Sequence, residues 1–438
     1  MLAVAVAGAL VLATVPAQAQ SLDELYHAAR NFDASYLAAR ALADSALPRA
    51  AQSLALRRPS AALTAGVTGN RIDTAASGGV SSTTSQVALQ GRQPLFNRAA
   101  DASIEQAQAQ LDADQADLDI AEQDLIARLS QAYFDVLAAQ DALATVQAAK
   151  KAIAEQLASA QRNFEVGTAT VTDTREAQAR FDLAGAQEIA AENDLRTKRV
   201  ALDQFVGRSG GVAPKPLLAP VALPALQPDD AETWVAEADT RHPLVRKARV
   251  GGEVARLETR KARAGRLPTV DLVGSYASIR SSGSAIALSG ASAGTTGTAS
   301  IGVQLNVPLD SGHAIENRIK ETLLLESKAG LDLEASRRAV AQGTRQAFLA
   351  VKSGMAQVAA LQAAEDSSKL ALEATQLGYR VGVRVNLDVL NAQTQLFQTQ
   401  RDLARARYDV LLGGMRLRQA SGQLAAADVA AVSRLLAP

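Results

Sequence analysis

An internal duplication constrains this chain more than any other feature of its sequence. Each half carries a long helical pattern that is interrupted by a short turn. Aligning Gly167 with Gly382 also aligns Asp173 with Asp388, so the repeat length is about 215 residues. A duplication on this scale predicts one structural unit built twice, and the chain contains 438 residues in total.

The repeated turns lie at residues 163–173 and 378–388. The glycine in each can adopt the left-handed conformation that ends a helix. The Thr, Asn and Asp residues that follow favour the start of the next helix, and Asp173 with Glu176 has the spacing of a capping box. Each turn is therefore predicted to be the tip of a helical hairpin. A simple chain reversal with no further role is the alternative.

Long helices are predicted on both sides of the turns. Residues 99–163 contain neither proline nor glycine, and a helix of that length extends roughly 100 Å. Its leucine and isoleucine residues recur every seven positions, which is typical of helices that pack side by side. Further helices are predicted at 21–56, 173–205 and 314–377, and another at 230–263 with a break near Pro243.

Strand patterns with a period of two occupy 59–95 and 268–309, and we expect loops at 71–85 and 281–299 within them. One face of these strands is apolar, and its members are Leu63, Val67, Leu89, Leu272, Ile301, Val303 and Leu305. The other face is polar, and its members are Thr64, Thr68, Gln90, Arg92, Asp271, Ser275, Gln304 and Asn306.

Four strands cannot close a membrane barrel, because the smallest such barrels have eight strands and an open edge is not tolerated in lipid. If these strands enter a membrane, several chains must therefore combine them. The polar face would then line a water-filled pore. A soluble two-sheet domain with one hydrated face is the alternative that alternation alone leaves open.

The order of segments predicts the domain organisation. Residues 1–19 have the apolar run and the small-residue cleavage site of a signal peptide. The first structural repeat is then 20–207, a connector rich in proline and glycine is 208–228, the second repeat is 229–422, and a C-terminal tail is 423–438.

Composition argues against several classes of function. The 45 basic residues balance 45 acidic ones, so a nucleic-acid-binding surface is not indicated. The chain has no cysteine, and its three histidines form no ligand-spaced pair. Nucleotide-binding, hydrolase and zinc-protease motifs are absent from the sequence. We therefore expect no enzyme activity, no cofactor and no metal site.

Several segments resemble a known family. Residues 131–137 (QAYFDVL) resemble its AYFxVL segment, and 162–167 (RNFEVG) resemble its RFxVG tip. Residues 378–390 (GYRVGVRVNLDVL) resemble its GYxVGxRxxxDVL tip, and 267–272 (LPTVDL) resemble LPTLDL at the entry to the third strand. The family is the TolC family of outer-membrane channel proteins, and the resemblance covers essentially the whole mature chain.

The resemblance implies an α+β membrane protein in which three chains each contribute four strands to an outer-membrane β-barrel. Long coiled-coil helices would continue that barrel as a periplasmic α-barrel. The function implied is the exit duct of a tripartite efflux pump or type I secretion system. The partners implied are a periplasmic adaptor, an inner-membrane transporter of RND or ABC type, and outer-membrane lipid. A periplasmic coiled-coil adaptor or scaffold without a pore is the alternative.

The resemblance also assigns roles to residues of the two turns. The positions that match the family's periplasmic latch are Thr172, Asp173, Tyr379 and Arg384. Those that match its pore constriction are Asp388 and Asn391, where the second carries an amide in place of a carboxylate and weakens the expected cation preference. The tip residues expected to meet a partner are Val166, Gly167, Val381 and Gly382.

Overall fold

The computed structural model describes residues 20–74, 78–207, 212–218, 221, 223–284 and 293–437. The predicted signal peptide lies outside these residues. The helices are α1 (Leu22–Arg30), α2 (Ala34–Leu54), α3 (Arg98–Glu165), α4 (Val171–Val206), α5 (Ala231–Arg241), α6 (Pro243–Ala264), α7 (Ala314–Arg380), α8 (Asn386–Ala420) and α9 (Ala426–Ser433). The strands are β1 (Ser60–Thr74), β2 (Gly78–Phe96), β3 (Thr269–Ser282) and β4 (Gly294–Asn306).

The chain divides into two compact units, and each draws on both halves of the sequence. The helical unit comprises Met1–Ala39, Leu118–Pro243 and Arg338–Pro438. The sheet unit comprises Arg40–Asp117 and Leu244–Arg337. Segments that are distant in sequence thus share each unit, as a duplicated chain with two equivalent hairpins requires.

The predicted long helices are confirmed. Helix α3 has 68 residues and α7 has 67, and neither is interrupted. Positions of the predicted seven-residue seam in α3, such as Leu125, Leu129 and Val136, are almost fully buried. Their burial is the main source of stability for such helices, because each fully buried leucine or valine contributes about 1.5–3 kcal/mol.

The prediction of one continuous helix over residues 21–56 is wrong. Residues 31–33 separate α1 from α2, and the Asp33 carboxylate accepts a hydrogen bond from the Tyr36 N–H at 2.8 Å. The aspartate offers the backbone a helix start that competes with continuation of α1. Phe32 is half exposed at this break, whereas Leu22, Leu25 and Ala29 of α1 are buried.

The four strands form one antiparallel sheet in the order β1-β2-β3-β4. The loops predicted at 71–85 and 281–299 are wrong in extent, because β1 pairs with β2 as far as Thr74 opposite Gly78. Similarly, β3 continues to Ser282 and β4 begins at Gly294. The hydrogen bonds between strands are made by backbone N–H and C=O groups, and threonine and serine side chains are tolerated in strands. Pairing therefore continues beyond the segment in which apolar and polar side chains alternate.

The main core of the helical unit lies where α1, α3, α4, α8 and α9 meet. The Tyr133 hydroxyl donates to the Gln20 carbonyl at 3.1 Å and accepts from the Lys215 N–H at 2.9 Å. Helix α9, in the predicted tail, packs on α1, where the Ser433 hydroxyl accepts from the Asp23 N–H at 2.9 Å. The described parts of the connector and of the tail are thus folded against the helices.

None of the described helices is both long and apolar enough to span a membrane.

Candidate functional site

The two helical turns share one backbone structure. Gly167 and Gly382 have φ values of +80° and +78°, so the prediction of left-handed glycines is confirmed. In the first turn the Thr168 N–H donates to the Asn163 carbonyl at 2.8 Å, and the second turn repeats this bond from Val383 to Gly378 at 2.9 Å. These are the six-to-one hydrogen bonds that terminate helices at a left-handed glycine.

The helix that follows the first turn begins with a capping box, but not the predicted one. The Thr170 hydroxyl accepts from the Asp173 N–H at 3.2 Å, and the Asp173 carboxylate accepts from the Thr170 N–H at 2.9 Å. The predicted pair of Asp173 with Glu176 is wrong because the helix starts three residues earlier, which places Asp173 at its third position. Asp388 occupies the same position in the second turn, 3.5 Å from the Val385 N–H.

A small core supports the turns from the side of the helices. Ile153, Leu157 and Ala160 of α3 pack there with Ala177 of α4 and Leu390 of α8.

A charged pair flanks this core. The Lys150 ammonium donates to Glu188 at 2.6 Å and keeps the pKa of that carboxyl below its usual range. The two turns are therefore supported by helices that pack against one another, not by loops.

Polar side chains join the first hairpin to the second. The Asn163 amide donates to the Tyr379 hydroxyl at 3.0 Å, and Arg180 donates to the Asn391 side-chain carbonyl at 3.2 Å. Gln156 also donates to the buried Asn386. These contacts connect α3 and α4 with α7 and α8, so within one chain the two turns are tied side by side.

The four residues predicted to form the latch make no hydrogen bond or ion pair with one another across the two turns within the described part of the chain. Arg384 forms an ion pair with Asp388 at 3.6 Å, and Tyr379 is bound by Asn163. Asp173 is occupied in capping its own helix. Contacts of Arg384 or Tyr379 with Thr172 and Asp173 would therefore have to form between chains or in another conformation.

The two residues predicted to form the pore constriction already have polar partners. The Asp388 carboxylate faces Arg384 and its own helix start, and the Asn391 amide carbonyl accepts from Arg180. A guanidinium group therefore stands beside the position at which the family pattern has its second carboxylate. This partner reduces the local negative charge further than the amide alone does.

Apolar side chains are exposed at both turns in matching positions. Val166 and Val381 are 73% and 65% exposed, and Val383 reaches 78%. Exposed apolar groups beside polar ones are typical of a surface that binds another protein.

The register of the sheet separates its two faces as predicted. Directly paired residues lie on one face of an antiparallel sheet, and Leu63 pairs with Leu89, which pairs with Tyr276. Extending this pairing along the ladders places all seven residues of the apolar set on one face and all eight of the polar set on the other. Ile301 is 82% exposed, so in the single chain this apolar face is uncovered.

The polar face carries its own contacts. Arg92 donates to the Asp271 carboxylate at 2.7 Å across β2 and β3, and the Ser275 and Ser300 hydroxyls lie 2.8 Å apart across β3 and β4. One strand edge of β1 and one of β4 have no partner strand among the described residues. The sheet is therefore two-faced and open at both edges.

Sequence reasoning missed Asn163, Gln156, Arg180 and Asn386 as residues of the site, and the sequence contains a signal for two of them. Asn163 lies within the repeated turn segment itself, and Arg180 follows Asp173 by seven residues, which places both on one helix face. Within the described ranges, no group of three or more His, Asp or Glu side chains is placed to hold a metal ion.

An open sheet with one apolar and one polar face, joined in the same chain to paired long helices with matching turns, defines a class of protein. The class is that of outer-membrane channels with a helical periplasmic part. The profile of the outer membrane efflux protein family matches residues 25–208 and 234–423, and the chain belongs to that family.

Individual relatives agree with this assignment. Outer membrane protein TolC of Vibrio cholerae is 34% identical over 94% of this chain and 92% of its own length. The alkaline protease secretion protein AprF of Pseudomonas aeruginosa is 34% identical over 71% of this chain and 64% of its own length. Among solved structures, the outer membrane protein VceC of Vibrio cholerae has a TM-score of 0.76 and 19% identity, covering 92% of this chain and 96% of that one.

The resemblance, the fold class and the location stated above are thereby confirmed. The protein is an outer-membrane exit channel of the efflux and type I secretion kind, and its helical part lies in the periplasm. Its family is one of transport channels rather than enzymes. The alternative of a periplasmic adaptor or scaffold without a pore is wrong.

Proposed function

We propose that three copies of the chain form one duct that receives its cargo from an inner-membrane transporter. The observation that carries this proposal is the open, two-faced sheet. Its open edges carry unpaired backbone groups that are unstable in lipid, and its exposed apolar face is unstable in water. Both are stabilised when other copies complete a closed barrel in the membrane. Three chains supply twelve strands, with the polar face lining the pore.

The proposed partners are a periplasmic adaptor and a transporter of RND or ABC type. The helical turns are their docking surface, since Val166, Val381 and Val383 present apolar side chains to the periplasm. The duct itself performs no catalysis, and the partner supplies the energy. The organisation proposed for the precursor is a signal peptide at 1–19, repeats at 20–207 and 229–422, the connector between them and the tail.

A transport assay in cells tests this function. In cells that lack their own channel but retain an adaptor and a transporter, the intact chain should restore drug resistance or protein secretion. Replacing both Val166 and Val381 by Asp should abolish this, because two carboxylates per chain would have to be desolvated on docking.

The matched control places the same charge away from the turns. Val200 is an exposed residue of α4, and Val200→Asp should leave transport unchanged. Normal transport by the double turn variant, at equal amounts of trimer, would mean that the partner docks elsewhere.

We infer further that Asp388 and Asn391 line the constriction and that Thr172, Asp173, Tyr379 and Arg384 form the latch. The Arg180–Asn391 contact, at 3.2 Å, supports a weakly charged constriction. At roughly 10 Å in water, one unit charge changes the energy of a passing ion by about 0.4 kcal/mol. Three copies acting together therefore change the local cation concentration several-fold.

Ion selectivity tests the constriction. Asn391→Asp and Arg180→Gln should each shift the reversal potential in a salt gradient towards cation selectivity, and the double variant should shift it most. In the single Asn391→Asp variant, the new carboxylate remains partly neutralised by Arg180. Reversal potentials identical to that of the parent channel would place both residues away from the ion path.

A further inference from the structure

The four connections between helices and strands lie at one end of the sheet. The register pairs Ser60, the first residue of β1, with Arg92 near the end of β2. It also pairs Phe96 at the end of β2 with Val270 at the start of β3. We call the residues at this end, 55–60, 94–101, 262–269 and 306–318, the junction belt.

The junction belt is basic, although the chain as a whole is neutral. It contains six guanidinium groups but only three carboxylates, which are Asp101, Asp310 and Glu316. The six arginines are Arg57, Arg58, Arg98, Arg263, Arg266 and Arg318. All six are exposed. A positive excess in one narrow band, within a chain of balanced charge, points to an anionic ligand at this level.

Carboxylates pair with four of the six arginines. Arg266 pairs with Glu316 at 3.5 Å, and Arg318 pairs with Glu258 at 2.7 Å and with Glu321 at 3.0 Å. Arg57 and Arg98 share the single carboxylate of Asp101, at 2.8 and 3.8 Å. Arg58 and Arg263 have no acidic partner among the residues that the structure describes. Guanidinium groups free to donate two parallel hydrogen bonds are suited to phosphate.

Exposed apolar side chains alternate with the arginines of the belt. Leu56 precedes Arg57, Leu267 follows Arg266, and Leu309 is 94% exposed. The Arg98 guanidinium lies 5.6 Å from the centre of the Phe96 ring. Apolar groups with a cation beside them are typical of the boundary between hydrocarbon and headgroups.

Two shallow clefts lie in corresponding parts of the two halves. One has a volume of about 420 Å³ and is lined by Leu56, Leu95 and Arg98. The other is 260 Å³ and is lined by Arg266, Leu309 and His313. Each cleft combines leucine side chains with a guanidinium group, and each also contains a carboxylate, Asp101 in the first and Glu316 in the second.

We propose that the junction belt binds anionic phospholipid headgroups in the periplasmic leaflet of the outer membrane. The strands lie in the membrane and the helices in the periplasm, so the belt is at the level of that leaflet. The apolar face of the sheet continues directly into it. The phosphate of a lipid would accept from Arg58 or Arg263, and its acyl chains would follow the apolar strand face.

Lipid titration of the full chain in detergent, followed by native mass spectrometry, tests this proposal. The probes are phosphatidylglycerol and phosphatidylcholine with identical acyl chains. The parent protein should bind the anionic lipid more tightly. Because each basic residue near an anionic surface contributes roughly a factor of five, Arg58→Gln with Arg263→Gln should weaken that binding about 25-fold at low salt.

Two further double variants distinguish the effect on lipid binding of charge at the junction belt from that of charge elsewhere on the chain. Arg71→Gln with Arg280→Gln removes the same charge from the opposite end of the strands and should leave lipid binding unchanged. Arg58→Lys with Arg263→Lys keeps the charge, so this variant should keep most of the preference for phosphatidylglycerol over phosphatidylcholine. Equal binding of the two lipids by the parent, or an equal loss in the Arg71 and Arg280 control, would overturn the proposal.

Discussion

Replacing Leu89 by Lys is expected to remove the protein from the outer membrane. Leu89 lies on the apolar face of an inner strand, opposite Leu63 and Tyr276. A lysine near the middle of a membrane strand costs about 2–4 kcal/mol. A trimer carries three copies, so the total of about 6–12 kcal/mol is comparable to the whole stability of a typical domain.

The neighbouring residue provides the control. Gln90→Lys introduces the same side chain one position along, on the polar face, where it remains hydrated and should alter conductance only. The amount of trimer in outer-membrane fractions measures both outcomes. Equal loss of trimer in the two variants would mean that the faces of the sheet are assigned wrongly.

Replacing Arg384 by Ser together with Tyr379 by Phe is expected to open the periplasmic end of the channel. Among the described residues, the side chain of Arg384 is held only by Asp388 at 3.6 Å, in an exposed ion pair of a kind that contributes about 0–1 kcal/mol. So weak a pair leaves Arg384 available to Asp173 or Thr172 of a neighbouring chain. Threefold repetition of such bonds could hold a closed state that a docked partner releases.

Single-channel conductance in planar bilayers and uptake of large antibiotics by cells measure this opening, and both should rise. Arg405→Ser is the matched control, because Arg405 forms a similar exposed ion pair with Asp409 within α8, remote from the turn. Asn163→Ala removes only the hydrogen bond to Tyr379 within the chain. If the double variant conducts no better than the parent, the turns only reverse the chain.

The helices and turns could be predicted because their causes are local. A seven-residue seam that buries Leu125 and Leu129, and a left-handed glycine at each turn, follow from residue spacing and from backbone sterics. The strand faces followed from alternation in the same way, and the register then placed every named residue on its expected face.

The remaining features depend on partners that are distant in sequence or on competition between local signals. The bond from Asn163 to Tyr379 joins residues 216 positions apart, and no local pattern specifies it. The capping box lies three residues earlier than predicted, because Thr170 rather than Asp173 caps the helix. The strands exceeded their predicted length because backbone pairing does not require apolar alternation.

The mass of the purified particle in detergent tests the central claim most directly. Four strands with two open edges, one apolar face and one polar face require other copies to complete a barrel. The full mature chain should give a single species that contains three chains, after the mass of bound detergent has been subtracted. A monodisperse single chain that stays soluble without detergent would contradict the account.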